Sequence, residues 1–502
     1  MVFLCERHAY VDAMSRQESL QEYFAGFRRN IIGIDQAYDF AYGRKTIVYA
    51  DWVASGRLYR PIEDFMANRV GPFVGNTHTE SSLMGTTMTH LYSHAREVIK
   101  AHVNAASTDV LIATGTGMTG AVNKLQRILG LRVPERFQSW VEHSSFEKPL
   151  VLVTHMEHHS NQTSWLACNC EVVVINRGDD GLPDLHHLEE VLRANQKREI
   201  KIGSFSAASN VTGIQTPIHA MAELMHKYNG LCFADYAASA PYVSMNMHPT
   251  KPEEKLDAIF FSPHKFLGGP GSAGVLIFDR ALYKNKIPDQ PGGGTVSWTN
   301  PWGEHRFVED IEAREDGGTP GFLQTIRAGL AILLKEKMGV ENIQRREDEL
   351  KELIFSRLAS NSRIHVLEKG LKRLGVISFY AHEMHYNLLV KLLNDRFGIQ
   401  ARGGCSCAGT YGHILLNVDQ EQSRSITCKI DQGDLSEKPG WVRVSLHPTM
   451  TNDEAISIAH AIQEIIANYG EWKKDYVFNS ASAEFAHKSY INPIPVHLSE
   501  AF

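Results

Sequence analysis

Residues 402–413 read Arg-Gly-Gly-Cys-Ser-Cys-Ala-Gly-Thr-Tyr-Gly-His, with Cys405 and Cys407 one residue apart and His413 close behind. Cysteines so spaced beside a histidine serve as a metal clip, a disulfide partner or a reactive thiol, and the stretch alone fits all three. A second reactive group is Lys265, which follows an apolar run and a Ser-Pro-His turn and precedes two glycines. A lysine at such a strand end enters a cleft rather than solvent. There it can form a Schiff base with an aldehyde, provided it is sheltered enough for its neutral amine to be available. Thirty residues earlier Asp235 closes the otherwise apolar Leu-Cys-Phe-Ala-Asp. A carboxylate placed there can pair with a protonated pyridine nitrogen and keep the ring an electron sink. A turn lysine and an N-cap aspartate are the plain readings of each alone; their co-occurrence favours the chemical one.

Two further motifs belong with these. Ile-Ala-Thr-Gly-Thr-Gly-Met-Thr-Gly-Ala-Val reads as strand, glycine-rich turn and helix, with Val122, Leu125, Ile128 and Leu129 as the inward stripe. The amides and dipole at Met118, Thr119 and Gly120 make an anion cradle suited to a phosphate. It is no Walker loop, because no Gly-Lys-Ser/Thr ends it, and its third glycine falls one residue early for a dinucleotide turn. In Val-Thr-His-Met-Glu-His-His-Ser-Asn the triplet Glu157, His158 and His159 lacks the His-Glu-x-x-His zinc spacing. A flat imidazole stacked on a flat ring competes there with metal ligation.

The elements that must position these groups are legible in outline. From about residue 46 eight apolar segments beginning Thr46, Asp109, Pro149, Glu171, Ile200, Leu231, Asp257 and Ala273 alternate with helical periodicity. So many apolar strands separated by helices predict an α/β layer with a mostly parallel sheet buried on both faces. Between two of them Ile218, Met221, Leu224 and Met225 recur at helical spacing, with Pro217 near the start and Gly230 at the end. A Gly/Pro/Trp-rich stretch (287–321) precedes long helices, and a smaller α/β unit follows. It has strands in Gly-Val-Ile-Ser-Phe-Tyr-Ala and Gly-Trp-Val-Arg-Val-Ser-Leu, and a closing helix capped by Thr451 or Asn452. The expected division is an arm (1–45), a large domain (46–300), a helical connection (301–340), a small domain (341–475) and a tail (476–502).

The totals narrow the ligands. A chain of 502 residues, 43% hydrophobic and 22% charged, has a globular composition. The net charge of −6, with Lys and Arg scattered, lacks the broad attraction that nucleic acid or an anionic membrane requires, so small molecules are the expected ligands. The first twenty residues, with Glu6 among them, hold no sustained apolar run, no later segment offers some twenty consecutive apolar residues, and the expected location is the cytoplasm. Seven cysteines in so long a chain, an odd number, predict reduced thiols.

These motifs in this order resemble the class V aminotransferase group of fold type I pyridoxal 5′-phosphate enzymes, and most closely cysteine desulfurases and selenocysteine lyases, over roughly residues 46 to 470. The resemblance implies a large domain with a seven-stranded sheet between helices and a smaller C-terminal domain. It implies that Lys265 is the Schiff-base lysine, Asp235 the pyridine-nitrogen partner and His158 the ring-stacking histidine and proton carrier. Met118, Thr119, Ser262 and His264 would hold the phosphate, and Asn210 would lie near the phenolic oxygen or the substrate. Thr295 in Pro-Gly-Gly-Gly-Thr-Val matches the residue such dimers lend to the neighbouring subunit, which implies a homodimer with shared active sites. Ala238 departs from the pattern, because desulfurases usually carry a glutamine three residues after the aspartate.

An amino acid brings a carboxylate, best held by a forked guanidinium. Arg443, within an apolar strand, resembles the family's carboxylate arginine, and Arg402 matches a position near the cleft. Counting five residues from Arg402 places the desulfurase nucleophile at Cys407. The implied reaction converts L-cysteine to L-alanine and leaves a persulfide on that thiol for a sulfur-acceptor protein. Cys405 is then an accessory thiol, and the glycines beside it read as hinges for a moving loop. A polar insertion after Cys407, running to about residue 440, keeps other class V reactions open: C–S β-lyase, epimerase or aminotransferase. A sulfur-relay scaffold without turnover and a Cys/His metal module with His413 remain as alternatives of other kinds. No metal is expected.

Overall fold

The structure, a computed structural model of the chain, describes residues 19–77, 81–142, 147–358, 360–491, 493 and 495–501; Cys5 lies outside them. Seven strands form one sheet: β1 (Val110–Thr114), β2 (Leu150–Thr154), β3 (Glu171–Ile175), β4 (Lys201–Ser206), β5 (Leu231–Asp235), β6 (Ala258–Phe261) and β7 (Gly274–Phe278). Their order is β1-β7-β6-β5-β4-β2-β3. All neighbours are parallel except β7, which runs antiparallel to both β1 and β6. The strands are apolar on both faces because each face carries its own core, one built around Leu152, Phe205 and Ile259 and the other around Ile112, Val151 and Phe260.

Helices cover these faces: α1 (Leu83–His102), α2 (Met118–Ile128), α3 (His159–Leu166), α4 (Leu185–Ala194), α5 (Ile218–Lys227) and α6 (Phe322–Met338). The predicted stripe of α5 faces inward at Ile218, Met221 and Met225. Its end differs from expectation. Asn229 takes the left-handed turn (φ 55°) and Gly230 does not. Gly230 sits in a tight place, where a Cβ would lie 3.1 Å from Met225 O and 3.3 Å from Lys201 O. Helix α6 packs along α1 closely enough that a Cβ on Gly329 would lie 3.2 Å from Ala95.

At Gly339 (φ 75°) the chain turns into α7 (Val340–Leu358), which leads to a second, antiparallel sheet. Strands β8 (Ile364–Val366) and β9 (Val376–Ala381) are followed by α8 (Tyr386–Phe397), β10 (Arg402–Gly404), α9 (Gly409–Leu415), α10 (Gln420–Asp431), β11 (Trp441–Ser445) and α11 (Asn452–Trp472). The strand order is β8-β9-β11-β10. Thr451 is the cap of α11, its hydroxyl accepting from Glu454 N–H while Glu454 reaches back to the Thr451 amide. The segment beginning Thr46, expected as a strand of the main sheet, is only Val48–Tyr49 and pairs with Ile399–Gln400. It therefore joins the N-terminal part of the chain to the smaller unit. The insertion contributes α10, and residues 476–487 form a hairpin. Among the described residues no helix is long and apolar enough to cross a membrane.

Leu152 is fully buried at the centre of β2. Leu152→Ala leaves a cavity in one of the two sheet cores, and urea unfolding is expected to show a loss of about 2–5 kcal/mol. A loss below 1 kcal/mol would mean that this core is not closely packed.

Candidate active site

The strand ends β1, β2, β4, β5 and β6 open into one cleft of about 330 Å³, lined by Met118, Thr119, His158, Asn210, Asp235, Ser262, His264, Lys265, Arg402, Cys407 and Arg443. Ten of the expected site residues thus sit with the predicted nucleophile around a single space at the carboxyl ends of the strands, where open α/β sheets bind ligands. Thr295 lies outside this cleft, its hydroxyl donating to Gly292 O (2.6 Å) within its own turn. Cys405 does not line it.

Glycine shapes the anion end. Gly117 precedes α2, and a Cβ there would meet His264 Cε1 at 2.8 Å and Ser262 Oγ at 3.0 Å. A Cβ on Gly274, the first residue of β7, would strike Gly117 O at 2.3 Å. These contacts draw α2 and the Ser262–Lys265 turn together. Two of the three amides expected to face an anion are already engaged, Met118 N–H with Ser262 Oγ (2.8 Å) and Gly120 N–H with Gly117 O (3.1 Å). Thr119, whose hydroxyl meets Ser160 Oγ at 2.7 Å, Ser262 and His264 complete the cradle. His264 is oriented by the bond from Nδ1–H to Thr116 O (2.8 Å). A small anion at a helix N-terminus fits this set.

The centre of the cleft is governed by burial. Asp235 is buried and, among the described residues, its carboxyl accepts one bond, from Ala237 N–H to Oδ1 (2.8 Å). Burial pushes its carboxyl up, opposed by that bond and reinforced by Glu157. A carboxylate so poorly satisfied calls for a cation against it, as a protonated ring nitrogen would supply. Burial holds the Lys265 ammonium below the ordinary lysine range, with Asp235 opposing and Arg443 adding to the effect, so a neutral amine is accessible. His158 caps α3, its Nδ1 accepting from Ser160 N–H (3.1 Å). Burial and Lys265 push its pKa down to about 4. The ring is therefore neutral at pH 7 with its proton on Nε2, a flat face that can stack on another ring. Beneath it Glu157 is buried and accepts from Ser206 N–H and Oγ, Thr154 Oγ1 and Asn161 Nδ2 at 2.6–2.9 Å. Asn210 Oδ1 is buried without a partner among the described residues and faces the same space.

The far end is built around a residue that the sequence reading passed over. Asp51 Oδ1 accepts from Arg443 (2.7 Å) and Oδ2 accepts from Arg402 Nε (3.0 Å) and Nη2 (2.9 Å). Arg443 and Arg402 stand directly opposite each other on β11 and β10, an arrangement of like charges that is unfavourable without a counter-charge. Arg443 is 3% exposed and also donates to Asn210 O (3.0 Å); its Nε has no partner among the described residues. The signal in the sequence was an acidic residue ending the apolar Thr-Ile-Val-Tyr-Ala, where a surface turn is the easier reading.

Cys407 is exposed at the cleft wall, and Cys405 packs beneath it against Tyr411 and Trp441. Cys168, Cys170, Cys232, Cys405, Cys407 and Cys428 are free thiols. His413 is engaged at both ring nitrogens, with Gly409 O and Ser423 Oγ at 2.8 Å each.

The aminotransferase class-V family model matches residues 48–456. A probable cysteine desulfurase of Halalkalibacterium halodurans is 26% identical over 366 residues, 72% of this chain and 84% of that protein. Another, of Streptomyces coelicolor, is 27% identical over 72% of this chain and 83% of its own length. Among solved structures, the apo cysteine desulfurase of Thermococcus onnurineus NA1 shares the fold with a TM-score of 0.70 at 20% identity, over 88% of this chain and 98% of that one. The Escherichia coli cysteine desulfurase CsdA aligns over the same shares with a TM-score of 0.69.

Asp51→Asn removes the counter-charge of a buried guanidinium. Urea unfolding is expected to show a loss of roughly 3 kcal/mol, because Arg443 is left charged and unpaired in the interior. A loss under 1 kcal/mol would show that Asp51 is not what holds the two arginines.

Proposed function

Because the chain belongs to the class V aminotransferase family, we propose that it is a pyridoxal 5′-phosphate-dependent cysteine desulfurase, converting L-cysteine to L-alanine with a persulfide left on Cys407. The observation that carries this reading is the meeting of Lys265, Asp235, His158, Cys407 and the Arg443–Arg402 pair around one cleft. Lysine, buried aspartate and neutral histidine suit an aromatic aldehyde; thiol and arginines suit a small amino acid. When bound, the cofactor supplies an aldehyde and an electron-accepting ring.

The chain's own residues divide the remaining work. Thr119, Ser262 and His264 would hold the phosphate, Lys265 would lie at the aldehyde, Asp235 would favour a protonated ring nitrogen and His158 would cover the ring face. With Ala238 where relatives carry a glutamine, Asn210 is the polar side chain left for the phenolic oxygen. The substrate carboxylate docks on Arg443 and Arg402, which fixes the amino group toward Lys265 and the side chain toward Cys407. Lys265, whose neutral amine burial favours, would be the base beside the substrate's α-carbon. The Cys407 thiolate attacks the substrate sulfur. A new S–S bond forms, the Cβ–S bond breaks, and Cβ takes up a proton to become the methyl group of alanine. An exposed Cys407 suits discharge to an acceptor protein, whereas Thr295, fully buried with its hydroxyl on Gly292 O, offers no group to a second copy of the chain. A cytoplasmic location fits the free thiols.

Purified protein with pyridoxal phosphate is expected to show a visible absorption band that is lost in Lys265→Ala. With L-cysteine, wild type and Cys405→Ser are expected to give alanine and a persulfide, whereas Cys407→Ser loses both by at least a hundredfold. Pyruvate and sulfide from all three proteins would identify a C–S β-lyase and overturn the proposal.

A further inference from the structure

Cys407 occupies a backbone conformation that an ordinary residue disfavours. Ser406 (φ 52°) and Cys407 (φ 57°) are consecutive and both left-handed. Such residues persist where the surroundings over-determine them, and they gather at functional sites. Here the surroundings are named side chains of the large unit. His159 grips the loop twice: its backbone N–H donates to Cys407 O (2.7 Å), and its ring Nε2 accepts from Gly409 N–H (2.8 Å). The fit at the second bond is close, since a Cβ on Gly409 would lie 3.1 Å from Nε2. Asn210 Nδ2 donates to Ser406 O (2.7 Å), and Thr410 Oγ1 donates to Gln162 Oε1 (2.8 Å). Three of these four bonds end on α3, whose first residue is His159 and whose cap is His158.

Resting on the reading of Cys407 as nucleophile, we propose that His159 is the positioning residue of that thiol. Its neutral imidazole is a latch that holds the 406–409 loop in its strained form, in register with His158, and lets it go when Nε2 is protonated.

The bond requires a lone pair on Nε2, so the ring carries its proton on Nδ1 and is uncharged. The charged and titratable groups facing it are His158 on its own helix, Cys407 on the loop, His413 through Gly409 O, and Lys438 ahead of β11. Burial, with Lys438 adding, pushes the pKa of His159 below the ordinary histidine value. The latch is therefore closed at neutral pH and opens only on the acid side of that value.

Hydrogen exchange of the full-length protein, corrected for intrinsic amide chemistry, tests this directly. The Gly409 amide, and with it that of Ala408, is expected to be protected at pH 7 in wild type and to exchange at least tenfold faster in His159→Ala, with β2 and β5 unchanged. In His159→Gln a non-titrating acceptor reaches the place of Nε2, so protection is expected to return and to stay flat as the pH is lowered, whereas in wild type it falls as Nε2 becomes protonated. Alanine formation should lose at least tenfold in kcat in His159→Ala with KM within twofold, and recover to within threefold in His159→Gln. Unchanged exchange at Gly409 in His159→Ala would overturn the latch. So would a KM that rises in step with the fall in kcat while glutamine does no better than alanine. Undiminished alanine formation by Cys407→Ser would sink the nucleophile reading instead, and the exchange pattern would still judge the latch on its own.

Discussion

Two guanidiniums facing each other across neighbouring strands are the constraint on which the substrate end of this molecule depends. Arg402 and Arg443 are register partners on β10 and β11, and Asp51 makes their proximity tolerable. The carboxylate is itself held in place by backbone. Ser445 N–H donates to Ala50 O (2.7 Å), and Val53 N–H donates to Ser445 Oγ (3.0 Å). The ion pairs thus fasten the N-terminal segment to the smaller sheet exactly where the cleft needs a wall. Two positive charges against one negative leave one positive charge at this end of the cleft.

The same burial that demands this compensation sets the protonation states around Lys265. Low polarity favours uncharged forms, so the lysine tends toward amine, His158 toward neutral imidazole and Asp235 toward its acid. Of the three only Asp235 must be ionised for the proposed work, and it alone awaits a cation from outside the chain. The cofactor and the buried carboxylate would each stabilise the charged form of the other, which ties cofactor affinity to ring activation.

Much of this was legible in the sequence, for physical reasons that also explain the omissions. Strands buried on both faces must be continuous apolar runs, so seven of the eight expected segments form the main sheet. The eighth, at Val48–Tyr49, has the same composition, and only its partner strand tells it apart. Lys265, Asp235 and His158 were readable because strand ends aim at a cleft and their residue types are chemically unusual there. Asp51 was not, since its meaning lies in two arginines more than 350 residues away. The left-handed pair at Ser406 and Cys407 was equally hidden, because neither residue is a type that announces a positive φ. Nor could spacing assign His159 a partner in the thiol loop.

The glycines of the thiol loop illustrate how a plausible local reading yields to packing. They suggested hinges, yet a Cβ on Gly403 would meet Asn387 Oδ1 at 2.3 Å, and Gly409 leaves room for the His159 ring. Both allow close approach, and the loop they flank is bound by His159, Asn210 and Gln162. A thiol fixed in this way already lies in the cleft that Arg443 lines, and its place there is set by the helix that also places His158. The geometry between ring and sulfur is then a property of α3 rather than of a mobile loop. Cys407 itself stays exposed, beside α9 and the inserted α10, which are joined through His413 and Ser423.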